Sequence, residues 1–299
     1  MLWALARLNL GAPQGAEFDD FATEAPKFIM KAFDESGTSL KSIGISSQEQ
    51  ANIAWSLTVL EQHQSDESIR LIRRVFREAA ETCKEEGVIQ LEHAHQLWQA
   101  YFLLEDESPD AVREVPSWFR DYLRDKWSVE KAREKLSSAR HRSLSQALTF
   151  MGVDHYNEHD EDIDVAIVLK KSAEWTHETD LDDAERSGVS VAVEFDGPNH
   201  FTRETEQMGG QRSAQPRALG HTVLKYRLLK KQGWTVVRVP YYEYDKIPFW
   251  ASMVSFLCST SCVCTLSLLI PKQRVFVSNI SYPYSVVTHR RDSAIYNAN

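Results

Sequence analysis

The stretch Val189-Ser190-Val191-Ala192-Val193-Glu194-Phe195-Asp196-Gly197-Pro198 alternates apolar and non-apolar residues and then stops at Gly-Pro. A period of two is the signature of a β-strand, so Val189, Val191, Val193 and Phe195 are predicted on one face and Ser190, Ala192, Glu194 and Asp196 on the other. The two carboxylates then share a face, roughly 7 Å apart, at the C-terminal end of the strand. Gly197-Pro198 ends the strand, and Asn199-His200 fall in the turn that follows. Upstream, Asp162-Ile163-Asp164-Val165-Ala166-Ile167-Val168-Leu169 alternates and then becomes apolar, as a strand does on entering a buried sheet. An acidic, loop-like insertion over 170–188 separates the two. Downstream, Thr222 is a candidate cap for a helix over 223–232, closed by Gly233. Leu224 and Leu228 lie on its inner side, with Val223 and Leu229 widening the stripe, and Lys225, Arg227 and Lys230 project elsewhere. Trp234-Thr235-Val236-Val237-Arg238-Val239-Pro240 reads as a third strand. Strand, strand, basic helix, strand is an α/β core.

The text before this core is helical. Ser47-Gln48-Glu49-Gln50 has the capping-box pattern, Ser with Gln three residues on, and predicts a helix ending near Glu61. That helix is apolar on two sides, with Ala51, Ala54 and Trp55 opposite Ile53, Leu57 and Leu60, so it needs neighbours on both. A second helix, over 68–83, carries one stripe (Ile69, Ile72, Phe76, Ala79, Ala80, Cys83) and a basic flank (Arg70, Arg73, Arg74, Arg77). The flank can grip phosphates, but Glu67, Glu78 and Glu81 lie three or four residues from its arginines and predict a solvated, ion-paired face. Trp3-Ala4-Leu5-Ala6 is echoed at Trp55-Ser56-Leu57 and Trp98-Gln99-Ala100, spacings that fit helix-pair repeats of about 40 residues stacking as a solenoid, or simply tryptophans of a helix-bundle core. Met1 to Leu8 reads as the second half of such a helix, an expectation that the chain starts inside a repeat; a missing targeting peptide then says little about location.

The chain has 299 residues, 42 % of them hydrophobic and 26 % charged, with 12 Gly and 10 Pro, which excludes collagen-like and low-complexity classes and allows two domains. The net charge of −9 argues against a nucleic-acid partner until its distribution is read. Residues 154–199 hold 3 Lys+Arg against 14 Asp+Glu, whereas residues 200–250 hold 9 against 4. An acidic stretch is followed directly by a basic one. Beyond residue 250 the text is rich in Ser, Thr and Cys and unlike the rest, and it is read as a disordered or non-native tail. Residues 251–270 carry no charge, the length of a membrane span, but their Ser, Thr and Cys content argues against a membrane partner. Cys258, Cys262 and Cys264 lack zinc-type spacing, and the four cysteines in all make no disulfide framework.

Three blocks carry a resemblance in order and spacing: Val193-Glu194-Phe195-Asp196-Gly197-Pro198-Asn199-His200-Phe201, then Gly220-His221-Thr222-Val223-Leu224-Lys225-Tyr226-Arg227-Leu228-Leu229, then Gly233-Trp234-Thr235-Val236-Val237-Arg238-Val239-Pro240-Tyr241-Tyr242-Glu243. Together they resemble the RAP domain. Ser143 to Leu148 is similar to the helix that precedes that domain, and Asp164 to the Asp of its first strand. The Trp-Ala-Leu helices resemble the octotricopeptide-like repeats that precede RAP domains. The resemblance implies an α + α/β chain: helical repeats over 1–135, a restriction-endonuclease-like RAP domain over 136–250, and the tail over 251–299. It also implies RNA as the ligand and a place in mitochondria or plastids, in processing, stability or translation of organellar transcripts.

Two chemistries follow from the residues. Phosphate contacts are expected from His200, Arg203, Lys225, Arg227, Lys230, Lys231 and Arg238, which interleave with Phe201, Tyr226, Trp234, Tyr241 and Tyr242, so unpaired bases of single-stranded RNA can stack while cations hold the backbone. Cleavage would need Mg²⁺, a cofactor required only in that case, with Asp164, Glu194 and Asp196 as oxygen ligands, His200 orienting a water and Lys225 meeting the developing charge. Endonuclease-like folds carry a Lys two residues after the acidic ligand; here Asp196 stands there, so binding without catalysis is the first reading. In that case Glu194 pairs with Lys225 or Arg238, and Asp196 accepts hydrogen bonds from the 197–200 turn. A third reading is a protein-interaction adaptor, with the helices as the docking surface.

Overall fold

The helices of the N-terminal part form where caps and apolar stripes permit. In the computed structural model, which describes residues 1–10, 16–36, 39–131, 138–150, 152–159, 163–169, 189–202 and 216–246, α1 spans Leu2–Arg7, α2 Ala16–Ser36, α3 Ser47–Val59 and α4 Asp66–Glu86. They are followed by α5 over Leu91–Glu107, the single turn α6 over Pro109–Val112, α7 over Ser117–Lys131 and α8 over Ala139–Phe150. The capping box that opens α3 is set one residue earlier than the sequence suggests. Ser46 is the N-cap, its Oγ accepts the Glu49 N–H at 3.3 Å, and Glu49 Oε2 accepts the Ser46 N–H at 2.8 Å. Either Ser satisfies the pattern, but only Ser46 has its partner carboxylate at the third helical position. Those hydrogen bonds hold the Glu49 carboxyl below the usual range.

Alternate helices pack on one another in two rows. One row runs α1, α3, α5, α7 and the other α2, α4, α6. This explains why α3 is apolar on two sides, with residues 50, 51 and 53–59 buried, since it lies inside a row and also touches α4. Trp55 is in the core, and its indole N–H donates to Gln99 Oε1 on α5 at 2.9 Å. The α4 stripe is wider than predicted, adding Leu71 and Val75 to Ile72, Phe76, Ala80 and Cys83. Its basic flank is ion-paired as expected, but mostly across helices: Arg70 to Asp34 at 2.8 Å, Arg77 to Glu114 at 2.9 Å, and Arg74 to Glu78 at 2.6 Å along α4.

The C-terminal unit is a four-stranded sheet in the order β1-β2-β3-β4, with β1 at Tyr156–His159, β2 at Ile163–Leu169, β3 at Val189–Asp196 and β4 at Thr235–Pro240. The first two pairings are antiparallel and β3 pairs parallel with β4, which requires a crossover. That crossover is α9, Gly220–Lys231, and a last turn, α10, covers Tyr241–Tyr244. Helix α9 starts earlier than predicted. Leu219 is the N-cap, and Thr222 is an interior, buried residue rather than a cap; Gly233, at φ +91°, follows the helix as expected.

Helix α9 is covered on two sides. Leu229 packs on the sheet against Ile163, Ala166 and Ala192. Leu224 and Leu228, predicted on its inner side, are buried in the core of the helical rows. Its N-terminus approaches α1 so closely that a Cβ on Gly220 would overlap the Ala6 carbonyl oxygen and lie 2.9 Å from Val59 Cγ1. Helices and sheet thus share one compact unit, residues 1–254. Among the described residues no helix is long and apolar enough to cross a membrane. The tail over 251–299 and its cysteines lie outside the described residues.

Candidate functional site

Glu194 and Asp196 point toward α9, as the alternation of β3 predicts, and α9 meets each with a different donor. Lys225 forms an ion-paired hydrogen bond with Glu194 Oε2, and the next residue, Tyr226, donates its hydroxyl to Asp196 Oδ2. Arg238, the parallel register partner of Glu194 on β4, reaches Asp196 rather than Glu194, with Nε 3.2 Å from Oδ2. Its guanidinium also lies 4.5 Å from the centroid of the Tyr226 ring, a cation–π contact. His200 Nδ1 lies 3.8 Å from Asp196 Oδ1 and 3.1 Å from Thr222 Oγ1. Asp196 is therefore held by α9, β4 and the turn together.

Asp164, on β2, joins the same group from the other side. Its Oδ2 accepts the Phe195 N–H at 2.7 Å, bridging β2 to β3. Burial raises its pKa, against the pull of Lys225 and of that hydrogen bond. Glu194, only 3 % exposed, is pushed up to about 7 by burial, again against Lys225 and with Asp164 adding repulsion. Its second oxygen, Oε1, is buried with no hydrogen-bond partner. The Tyr226 hydroxyl is also raised, by burial and by the Asp196 charge that it donates to. Asp164, Glu194, Asp196, His200, Lys225 and Arg238 therefore lie in one neighbourhood.

The remaining cations divide. Arg227 donates to the Thr58 carbonyl at 2.7 Å and to Glu107, and Lys231 to the Phe102 carbonyl, with Asp106 at 3.2 Å. Both are spent tying α9 to the helical rows, which corrects their reading as phosphate contacts: their side chains are only 15 % and 14 % exposed. Lys230 is exposed, and Arg203 lies outside the described residues. Of the aromatic residues, Phe201 and Tyr226 are buried, while Tyr241 and Tyr242 are partly exposed and pack edge-on at 5.5 Å.

Two features escape the sequence reading. Strand β1 and α8 add His141 and Glu158 beside Asp164, with His141 Nδ1 3.0 Å from Glu158 Oε1. The signal was a polar four-residue strand, too short and too polar for periodicity to register. A cavity of about 470 Å³ on the helical rows, lined by Trp3, the amides of Gln48, Asn52, Gln90 and Gln96, and Glu92 and His93, joins residues far apart in the chain. Residues 193–259 match the family model of the RAP domain, a match that opens on β3, takes in α9 and β4, and ends outside the described residues. The chain carries a RAP domain, and the β3–α9–β4 acidic and basic cluster lies within it.

Proposed function

We propose that this protein binds single-stranded RNA, with the RAP domain gripping the phosphate backbone and the helical rows contributing base contacts. One observation carries the reading: inside the matched RAP segment, His200, Lys225 and Arg238 gather at the C-terminal ends of β3 and β4 beside the partly exposed Tyr241 and Tyr242. Cations at strand ends with adjoining rings suit a backbone whose bases are unpaired. The cavity on the helical rows supports the second half, because its Asn and Gln side chains, with Glu92 and His93, match base edges and Trp3 offers a stacking face. Stacking of alternate helices in two rows is the packing expected of a solenoid of repeats. Transcripts of mitochondria or plastids are the proposed targets, on the family resemblance.

The test is the salt dependence of affinity for an unstructured RNA, measured by fluorescence anisotropy. Each lost phosphate contact lowers the slope of log K against log salt by about 0.7 for a single strand. Lys230→Ala with Arg238→Ala should therefore flatten it by about 1.4, whereas Gln48→Ala should weaken binding with the slope unchanged. No RNA retained at low salt would overturn the proposal and favour the protein-adaptor reading.

A second reading, Mg²⁺-dependent RNA cleavage, is favoured by the unpartnered Glu194 Oε1 next to Asp164. Asp164 and Glu194 would hold the ion, which would activate a water, and Lys225 would neutralise charge on the phosphate. Asp196 is withdrawn from that set by Tyr226 and Arg238. RNA hydrolysis that requires Mg²⁺ and vanishes in Glu194→Ala would decide for this reading.

A further inference from the structure

We propose that the cavity on the helical rows receives one base of the bound RNA and selects guanine, an inference that rests on the RNA-binding reading above. Three successive helices of one row supply its walls: Trp3 comes from α1, Asn52 from α3, and Glu92, His93 and Gln96 from α5. Its volume of about 470 Å³ falls within the range of small-molecule pockets. No lysine or arginine lines it, so it suits the base of a nucleotide rather than the phosphate. A cation stands beside it instead. The Arg7 guanidinium lies 5.5 Å from the centroid of the Trp3 ring, where the phosphate attached to an inserted base can reach it. Trp3 is 44 % exposed, which leaves ring surface for stacking.

The lining has a defined set of donors and acceptors. Gln96 Nε2 donates to Asn52 Oδ1 at 2.8 Å, and this bond orients both amides. Asn52 Nδ2 is left to donate and Gln96 Oε1 to accept, and among the described residues neither has another partner. The Glu92 carboxylate can only accept. His93 is 7 % exposed, yet among the described residues its ring nitrogens have no hydrogen-bond partner. A buried polar group left unbonded on a cavity wall is a place for a ligand to bond. Burial lowers the His93 pKa, with Glu92 pulling the other way, so the ring is neutral at pH 7 and offers one donor and one acceptor. The cavity thus presents two acceptors, Glu92 and Gln96 Oε1, and one donor, Asn52 Nδ2, with an imidazole able to play either part.

Guanine is the complement of that set. Its Watson–Crick edge carries two adjacent donors, N1–H and the N2 amino group, and one acceptor, O6. Cytosine and uracil each carry one donor and two acceptors there, and adenine carries one of each. With any base but guanine, an acceptor of the cavity faces a second lone pair or is left dry without a donor. A site built to bond a donor rejects the analogue that lacks it, because its own buried polar groups then go unpaired. The carboxylate makes this penalty largest, since charged hydrogen bonds are the strong ones.

The experiment titrates the full chain, by fluorescence anisotropy, with short oligouridines that carry a single central guanosine, adenosine or cytidine, or none. The guanosine oligomer should bind about tenfold more tightly than the other three. Inosine at the same position lacks the N2 amino group and should lose most of that preference. Glu92→Gln, at an exposed position where circular dichroism should show the fold intact, should bring the preference for guanosine below about twofold. Equal affinity for all the oligomers would overturn the guanine assignment and leave RNA binding standing. A guanosine preference that survives Glu92→Gln unchanged would overturn it as well. Failure of every oligomer to bind at low salt would overturn the RNA-binding reading, and this inference with it.

Discussion

Tyr226 does two things at once: its hydroxyl satisfies the buried Asp196 carboxylate, and its ring faces the Arg238 guanidinium that shares that carboxylate. Tyr226→Phe keeps the ring and removes only the donor. It should destabilise the protein by about 1–3 kcal/mol, the cost of leaving a buried acceptor short of a partner, as read by urea unfolding. Lys225 and Tyr226 are adjacent on α9, yet one serves Glu194 and the other Asp196, because two carboxylates two apart on a strand span about the same distance as one step of helix plus two different side-chain lengths. That Glu194 pairs with Lys225 or Arg238 was legible from charge and alternation, but not which of the two. The role of Tyr226 was not, since an aromatic residue on a basic helix reads equally as a stacking platform or as core.

At the level of elements, α9 decides the architecture. Periodicity showed its apolar residues but not that they divide, Leu229 to the sheet and Leu224 with Leu228 to the helical rows. The same blind spot hid the use of Arg227 and Lys231, because a cation that ties two layers together has the same local pattern as one that faces solvent. Strands β2, β3 and β4 were legible from their alternation, whereas β1, with Tyr156 and Glu158 in four residues, has no apolar rhythm to read. The α9 interface also predicts a response to acid. His221 is held at a pKa of about 4, chiefly by burial and then by Arg7 and His200, and burial likewise lowers His63 despite Glu107. A histidine depressed in the folded state contributes stability that is present above its unfolded pKa near 6.5 and is lost as pH falls through the folded value. Lowering the pH from 7 to about 4.5 therefore costs stability at His221 and His63, while Glu194 and Asp164, whose carboxyls are raised in the folded state, act in the opposite direction over the same range. His221→Leu should remove on the order of 1–2 kcal/mol of that loss, after allowance for its partial exposure, in thermal melts across the range.

For the whole molecule, the RAP segment does not own its core. Leu224 and Leu228 are buried by helices over 100 residues away in the chain, and Arg227 and Lys231 end on carbonyls of α3 and α5. A fragment of residues 138–246 should therefore expose apolar surface, bind a dye such as ANS, and melt without a sharp transition, whereas the chain over 1–254 should unfold cooperatively. The close seat of Gly220 on Ala6 carries this one step further. With no room for even a methyl group, the two positions work as a gauge that fixes how far the crossover helix can lean. A bulkier residue at position 220 would shift α9 outward and carry Lys225 and Tyr226 with it. The spacing of the acidic cluster is thus calibrated from the opposite end of the chain, by a backbone carbonyl six residues from its start.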